Sequence, residues 1–293
     1  MTPGELSKRL TDESFAAIRA HPQFRTAVGR ATAESVAHFQ SQDPTYQWIT
    51  KDIGRAAICV TAMTLHMVGR LTAQTLTASC LEHDISSAGR VQQVIRRCQD
   101  VGELTVGDGA GLWTRRPMRM GERLIRILRE RALIDLTAML CLAPELAGAA
   151  ELAETDDGFL NYAIALAMIT NARRDLFAFR ERSPVNFLLD REAGMLIVCD
   201  FVSTQPLDQP RLLEQAAISR YALARRYGVS RAHINKILAE SGHMECVGDD
   251  RVVFSEALSL ALEQHFALVF QLNRCAAQAL LSNWRFDDGR RAG

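Results

Sequence analysis

Lysine is nearly missing from this chain of 293 residues: Lys8, Lys51 and Lys236 are the only ones, and arginine carries the other positive charges. Net charge is missing too, since 34 basic side chains meet 34 acidic ones. That excludes a surface basic all over, so a nucleic-acid site has to come from local clustering. The seven cysteines form no Cys-x-x-Cys pair and no Cys/His ligand spacing. This argues against a zinc site or disulfide framework and for reduced thiols in a cytosol. Residues 1–15 lack the apolar run of a signal peptide. The longest apolar stretch, residues 56–65, is too short to span a bilayer. No Ser/His/Asp set, paired carboxylates or phosphate loop stands out. Residues 107–111 are glycine-rich but lack the Lys-Ser/Thr and the strand-to-helix context of a phosphate loop; a hairpin tip explains them better. The expectation is a soluble cytoplasmic protein with no membrane segment, no cofactor, no metal and no catalytic activity.

What is present centres on residues 220–242. Leu223, Ala224 and Tyr227 make a short amphipathic helix that stops at Gly228, which supplies a left-handed turn. Val229 plugs the turn and Ser230 caps the next helix. Ile234, Ile237 and Leu238 then recur at helical spacing and face back onto the first helix. Arg231, His233, Asn235 and Lys236 are left on other faces. This is a helix-turn-helix whose second helix offers groups that bond base edges or phosphates. A plain helical hairpin shares the periodicity but not the Gly-Val-Ser turn with its outward polar set.

The length suits about two domains. Residues 1–42 read as helical with a break at His21-Pro22. An apolar, buried helix covers 54–70, another covers 71–83, and Ser87 caps a long one to Cys98 with Val91, Val94 and Ile95 inward. Residues 104–106 read as a strand, 107–111 as a turn and 112–114 as the returning strand. A long helix follows over 120–141. The Ala-rich, acidic stretch 144–158 reads as a linker with helical turns. A final apolar helix spans 255–281.

The pattern repeats. At a shift of 140, Phe39 falls on Phe179, Pro44 on Pro184, Gly54 on Gly194, Cys59 on Cys199 and Lys51-Asp52 on Arg191-Glu192. At 143, Ser87 meets Ser230 and Val91 meets Ile234; at 141, Val106-Gly107-Asp108 meets Val247-Gly248-Asp249 and Trp113 meets Phe254. This colinearity indicates a diverged tandem duplication. Trp113 and Phe254 are then core anchors on the inward wing strand. Helices near 22–42, 120–141, 159–182 and 255–281 should pack together centrally.

Each half resembles a protomer of the MarR family of bacterial winged-helix regulators, from about residue 22 to about residue 281. The likeness is strongest at Ala224-Arg225-Arg226-Tyr227-Gly228-Val229-Ser230 with Ile234. At the second wing, Asp249-Asp250-Arg251 is similar to the family's Asp-x-Arg pattern. The run from Arg116 to Gly121 resembles the one leading from its wing into the next helix. The first wing lacks the Asp-x-Arg order, and a fusion of two protomers departs from the family. The resemblance implies a mainly α fold with two tandem winged-helix domains, 1–145 and 146–293. It also implies interlocking dimer helices, and recognition helices and wings that grip double-stranded DNA. Either a monomeric pseudo-dimer or a homodimer fits, and a small-molecule effector would sit between dimer helices and heads.

Charge is partitioned as DNA binding requires. Residues 86–131 hold ten basic and five acidic side chains, so +5; residues 219–251 hold six and four, so +2. The DNA-binding candidates are Ser87, Arg90, Gln92, Gln93, Arg96, Arg97, Arg115 and Arg116 in the first half. In the second they are Ser230, Arg231, His233, Asn235, Lys236 and Arg251. His233 could equally cap or stack locally. For Arg123, Arg126, Arg129 and Arg131 a solvated helix face is the simpler reading. Cys59 and Cys199 read as small buried hydrophobes. The competing class is a winged-helix protein-interaction scaffold that no longer binds DNA, which overall neutrality favours.

Overall fold

Most helix starts are written locally, as a Ser, Thr or Asp whose side chain accepts a backbone N–H of the first turn. The structure is a computed structural model and describes residues 1–108, 111–173, 176 and 183–286. Helices α1 (Pro3–Ser7), α2 (Asp12–Arg19), α3 (Phe24–Ser41) and α4 (Pro44–Thr50) lead into α5 (Ile53–Met67), α6 (Ala73–Glu82) and α7 (Ala88–Asp100). Asp52, Thr72 and Ser87 cap these last three. A hairpin of β1 (Leu104–Val106) and β2 (Met118–Met120) precedes α8 (Glu122–Met139). Then come α9 (Ala147–Ala153), α10 (Asp156–Ala172), α11 (Pro184–Leu189) and α12 (Gly194–Ser203). The chain continues as β3 (Gln215–Ala217), α13 (Arg220–Tyr227), α14 (Arg231–Glu240), β4 (Met244–Val247), β5 (Arg251–Phe254) and α15 (Glu256–Leu281). The fold is mainly helical with small antiparallel sheets.

One order of elements thus occurs twice: helix, helix pair, hairpin, long helix. We call α5 to β2 the first head and α12 to β5 the second. Between them lies a helical layer in which α15 packs along α10, α2 and α8. In the same layer α3 packs against both α8 and α12, so a first-half helix supports the second head. Phe24 meets Phe270 edge-on at 6.3 Å between ring centroids, and Phe39 meets Tyr227 at 5.5 Å. The central packing expected of α3, α8, α10 and α15 is present; residues 174–175 and 177–182, including Phe179, lie outside the described residues.

The turn in the second head has the expected geometry. Gly228 adopts φ +58°, and Ser230 accepts the His233 N–H at 3.0 Å. Five sequence expectations are corrected. Residues 112–114 do not form the returning strand. Trp113–Arg115 is a single tight helical turn, and β2 begins after Pro117, pairing Leu104 with Met120 and Val106 with Met118. That register buries Leu104, Met118 and Met120 on one face, leaving Trp113 42% exposed while Phe254 is buried. The two are therefore not equivalent anchors. The helical turns expected over 144–158 are present, but the stretch is packed rather than a free linker: Leu146, Ala149 and Ala153 are buried. The α9–α10 turn is so close that a Cβ on Gly158 would collide with the Leu152 carbonyl. Helix α5 is not uniformly buried, since Ile53 and Val60 are exposed. Finally, β3 was not expected; Ala216 pairs with Val252, giving a three-stranded sheet β3-β5-β4. In the first head the same place holds one backbone bond, from Met118 N–H to the Leu71 carbonyl at 2.8 Å.

Candidate nucleic-acid interface

Helix α7 has a buried stripe of Val91, Val94, Ile95 and Cys98, so its other face is free. Gln93, Arg96 and Arg97 are exposed there. Arg97 stands 5.9 Å from the centroid of the Trp48 ring, in a cation–π arrangement. With Trp48, Gly89, Gln92 and Asp100 these residues line an open groove of about 700 Å³. Gln92 itself is half-buried, its amide 3.4 Å from the Thr77 hydroxyl, and ties α7 to α6. Ser87 is occupied as the cap of α7, 3.4 Å from the Arg90 N–H. Arg90, its side chain 42% exposed, folds back onto the start of α5: its Nη2 lies 2.5 Å from both oxygens of Asp52.

On the first wing Arg115 is exposed and donates to the Gln74 side chain at 3.2 Å. Arg116 is half-buried, donating to the Gly111 carbonyl at 3.4 Å, and its Nε has no partner. Arg119 on β2 is exposed as well. The sequence reading missed it because the returning strand was placed too early. Residues 109 and 110, at the expected hairpin tip, lie outside the described residues. Arg96, Arg97, Arg115 and Arg119 make no ion pair among the described residues. On α8 the opposite holds: Arg123, Arg126, Arg129 and Arg131 pair with Asp43, Glu130, Asp156 and Asp135.

The second head presents Arg231, Asn235 and Lys236 on the exposed face of α14. Lys236 is 3.8 Å from Glu240, a loose pair within one helix. His233 does not face outward: its Nε2 lies 2.9 Å from the Glu192 carbonyl oxygen. Ser230 is taken up as the α14 cap. Arg251 opens β5, exposed, beside exposed Asp249, Asp250 and Glu245. Arg220 donates to the Asp249 carbonyl at 3.1 Å. A groove of about 600 Å³ between α14 and the wing is floored by Leu238, Ala239, Met244 and Cys246, with Asn235 on its rim. The first head thus offers unpaired arginine along a polar groove, and the second offers unpaired Arg231 and Arg251 beside an apolar groove edged by Arg220, Glu245 and Asp249.

The two heads start differently at their last helices. Gly121 has no side chain, so the N-terminus of α8 is capped from a distance: buried Glu103 accepts the Leu124 N–H at 3.2 Å and also the Tyr46 hydroxyl. Burial and this carboxylate push the Tyr46 phenol well above its usual range. Helix α15 is capped by its own Ser255, which accepts the Leu258 N–H at 3.2 Å. Cys59 and Cys199 are buried, and burial pushes the Cys199 thiol up to about 12. Among the described residues no His, Cys, Asp or Glu side chains gather as a metal would require, and no helix is long and apolar enough to cross a membrane. Comparison of the chain with family models, with curated proteins and with solved structures gave no match.

Proposed function

We propose that the chain is a DNA-binding transcriptional regulator, built as two tandem winged-helix domains (1–145 and 146–293) that resemble MarR protomers and together stand in for a dimer. The observation that carries this reading is the contrast between arginines. Arg96 and Arg97 on α7 and the arginines of the first wing have no acidic partner, whereas those on α8 are paired. Unpaired guanidinium groups beside an exposed helix face are suited to phosphate oxygens and guanine edges. The repeated helix-turn-helix and hairpin give each head a helix of the length and exposure that enters a major groove. This reading carries with it a cytoplasmic location.

The heads differ, so the target is two unlike half-sites. Gln93, Arg96 and Arg97 face one, while Arg231, Asn235 and Lys236 face the other. Selection of bound sites from random duplex DNA, followed by a salt series on the winners, tests this. The expected result is an asymmetric site whose log affinity falls linearly with log salt. A perfect palindrome would mean that two chains pair through one type of head. No binding to any duplex at low salt would leave the protein-interaction scaffold as the better account. For the second head alone, the apolar groove already favours that account.

A further inference from the structure

We infer that a relay of charged side chains between the heads fixes the separation of α7 and α14, and so sets the half-site spacing; this rests on the DNA-binding reading above. Arg90, in the first turn of α7, holds Asp52 at 2.5 Å. Asp52 lies 3.8 Å from Arg55, and Arg55 donates to Glu192 at 3.0 Å. The Glu192 carbonyl is the partner of His233, in the first turn of α14, at 2.9 Å. The path therefore runs unbroken from one recognition helix to the other. Lys51 doubles it. Its carbonyl accepts the Ala193 N–H at 2.6 Å, and its ammonium donates to the Gly228 carbonyl in the second head's turn at 2.9 Å. The same ammonium sits 3.5 Å from the Glu192 carboxylate.

Three features make this a brace rather than a scatter of surface pairs. The side chains of Lys51, Asp52 and Arg55 are only 12%, 12% and 15% exposed, so solvent screens the middle of the relay little, while Glu192 at 32% and Arg90 at 42% stand nearer the surface. Ala193 sits at φ +61°, a conformation that residues with a Cβ avoid unless their surroundings hold them there. Finally, the brace is two-sided. A shift of 143 carries Arg90 onto His233, and a shift of 140 carries Asp52 onto Glu192. Each head thus folds the residue at the same helix position back onto the residue just ahead of α5 or α12. Arg90 and His233 are positioning residues, which leaves base contact to the side chains farther along each helix.

The test uses the full chain with spin labels carried by noncanonical residues at positions 93 and 236, read without DNA. Alongside it, affinity is measured for duplexes whose selected half-sites are separated by added base pairs, one at a time. The unsubstituted protein should give one narrow distance and one preferred spacing, with neighbouring spacings weaker on the order of tenfold. Glu192→Ala should broaden the distance distribution and level the spacing preference. Lys51→Met, which keeps both charged partners of the relay, should do the same more weakly. An unchanged distance distribution in both variants overturns the brace. A narrow distance that broadens as expected, in a chain that binds no duplex, overturns the DNA-binding reading and the spacing role while leaving the brace standing.

Discussion

The two heads share an order of elements and diverge in nearly everything that meets solvent. The first has a two-stranded hairpin with arginines at 115, 116 and 119, and an α7 whose Arg96 and Arg97 have no acidic neighbour in contact. The second has a third strand, a wing with Glu245, Asp249 and Asp250, and a groove floored by Leu238 and Met244. Their cores are built alike, with three inward apolar side chains on α14 matched by a similar stripe on α7. Core and surface answer to different demands: burial has to be kept in both halves for either to fold, while the exposed charge is free to specialise. The comparison teaches that one order of elements carries two unlike surfaces, the first with more exposed unpaired arginine and the second with an apolar groove and exposed acids.

The sharpest way to break that comparison is to remove charge from each head in turn. On the proposed DNA-binding reading, Arg96, Arg97 and Arg115 changed together to Ala remove three phosphate contacts. At about 0.9 per contact the salt slope should flatten by about 2.7, which between molar and 0.1 M salt amounts to roughly 500-fold in affinity. The matching change in the second head, Arg231, Lys236 and Arg251 to Ala, should cost on the order of tenfold, because Glu240 and the acidic wing already offset those cations. Fluorescence anisotropy across a salt series reads both. Equal losses would mean that the acids of the second wing are swung clear of the DNA.

Stability separates the heads next. Glu103→Ala removes the distant cap of α8, worth about 1 kcal/mol, and leaves the buried Tyr46 hydroxyl without its partner, worth about 1–3 kcal/mol more. Ser255→Ala removes a cap alone and should cost about 1 kcal/mol. Urea unfolding of the two variants checks the order. If Ser255→Ala proved the costlier, Glu103 would not be the anchor the geometry makes it. A smaller effect concerns the acids of the second wing: Asp249→Asn with Asp250→Asn should raise affinity several-fold at low salt, an effect that disappears as salt screens it. An unchanged affinity would show that this wing does not approach the backbone of the duplex.

How much of this was legible follows from the range of the interactions. Gly228 and Ser230 act within one turn of chain, so the second helix-turn-helix could be read residue by residue, as could the Ser87 cap. The first wing could not. Leu112-Trp113-Thr114 looks like a strand by composition, but its neighbour Pro117 and the pairing of Leu104 with Met120 fix the strand later. The stretch 144–158 looked like a linker because alanine and acid are common in linkers; the same alanines let α9 and α10 approach closely once α15 lies against them. Arg90 and His233 carry the clearest lesson. Both are residue types that read DNA, and only the position of Asp52 and of the Glu192 carbonyl, far away in sequence, folds them back. Charge at the heads was correctly counted from sequence, but which arginines are paired depends on such distant partners.

The smallest expected difference is a response to acid. His66, near the end of α5 in the first head, is half-buried, and burial together with the wing residue Arg119 holds its pKa below the usual value. The unfolded chain, with the imidazole near its ordinary pKa of about 6.5, therefore binds the proton more readily than the folded protein does. Stability contributed by neutral His66 is fully present above that value and is lost as pH falls from it through the lower folded value. The equivalent position in the second head, at a shift of 140, is Pro206, which does not titrate. His38, also held down by burial, sits on α3 in the central layer and belongs to neither head. Amide hydrogen exchange at pH 7.5 and 5.5 should show protection in α6 and α7 falling more than protection in α13 and α14. His66→Gln should remove the excess fall, and Arg119→Gln should reduce it, since burial remains when the wing charge is gone. Equal acid sensitivity of the two heads, or an excess that survives His66→Gln, would show that the difference between them does not extend to their protonation.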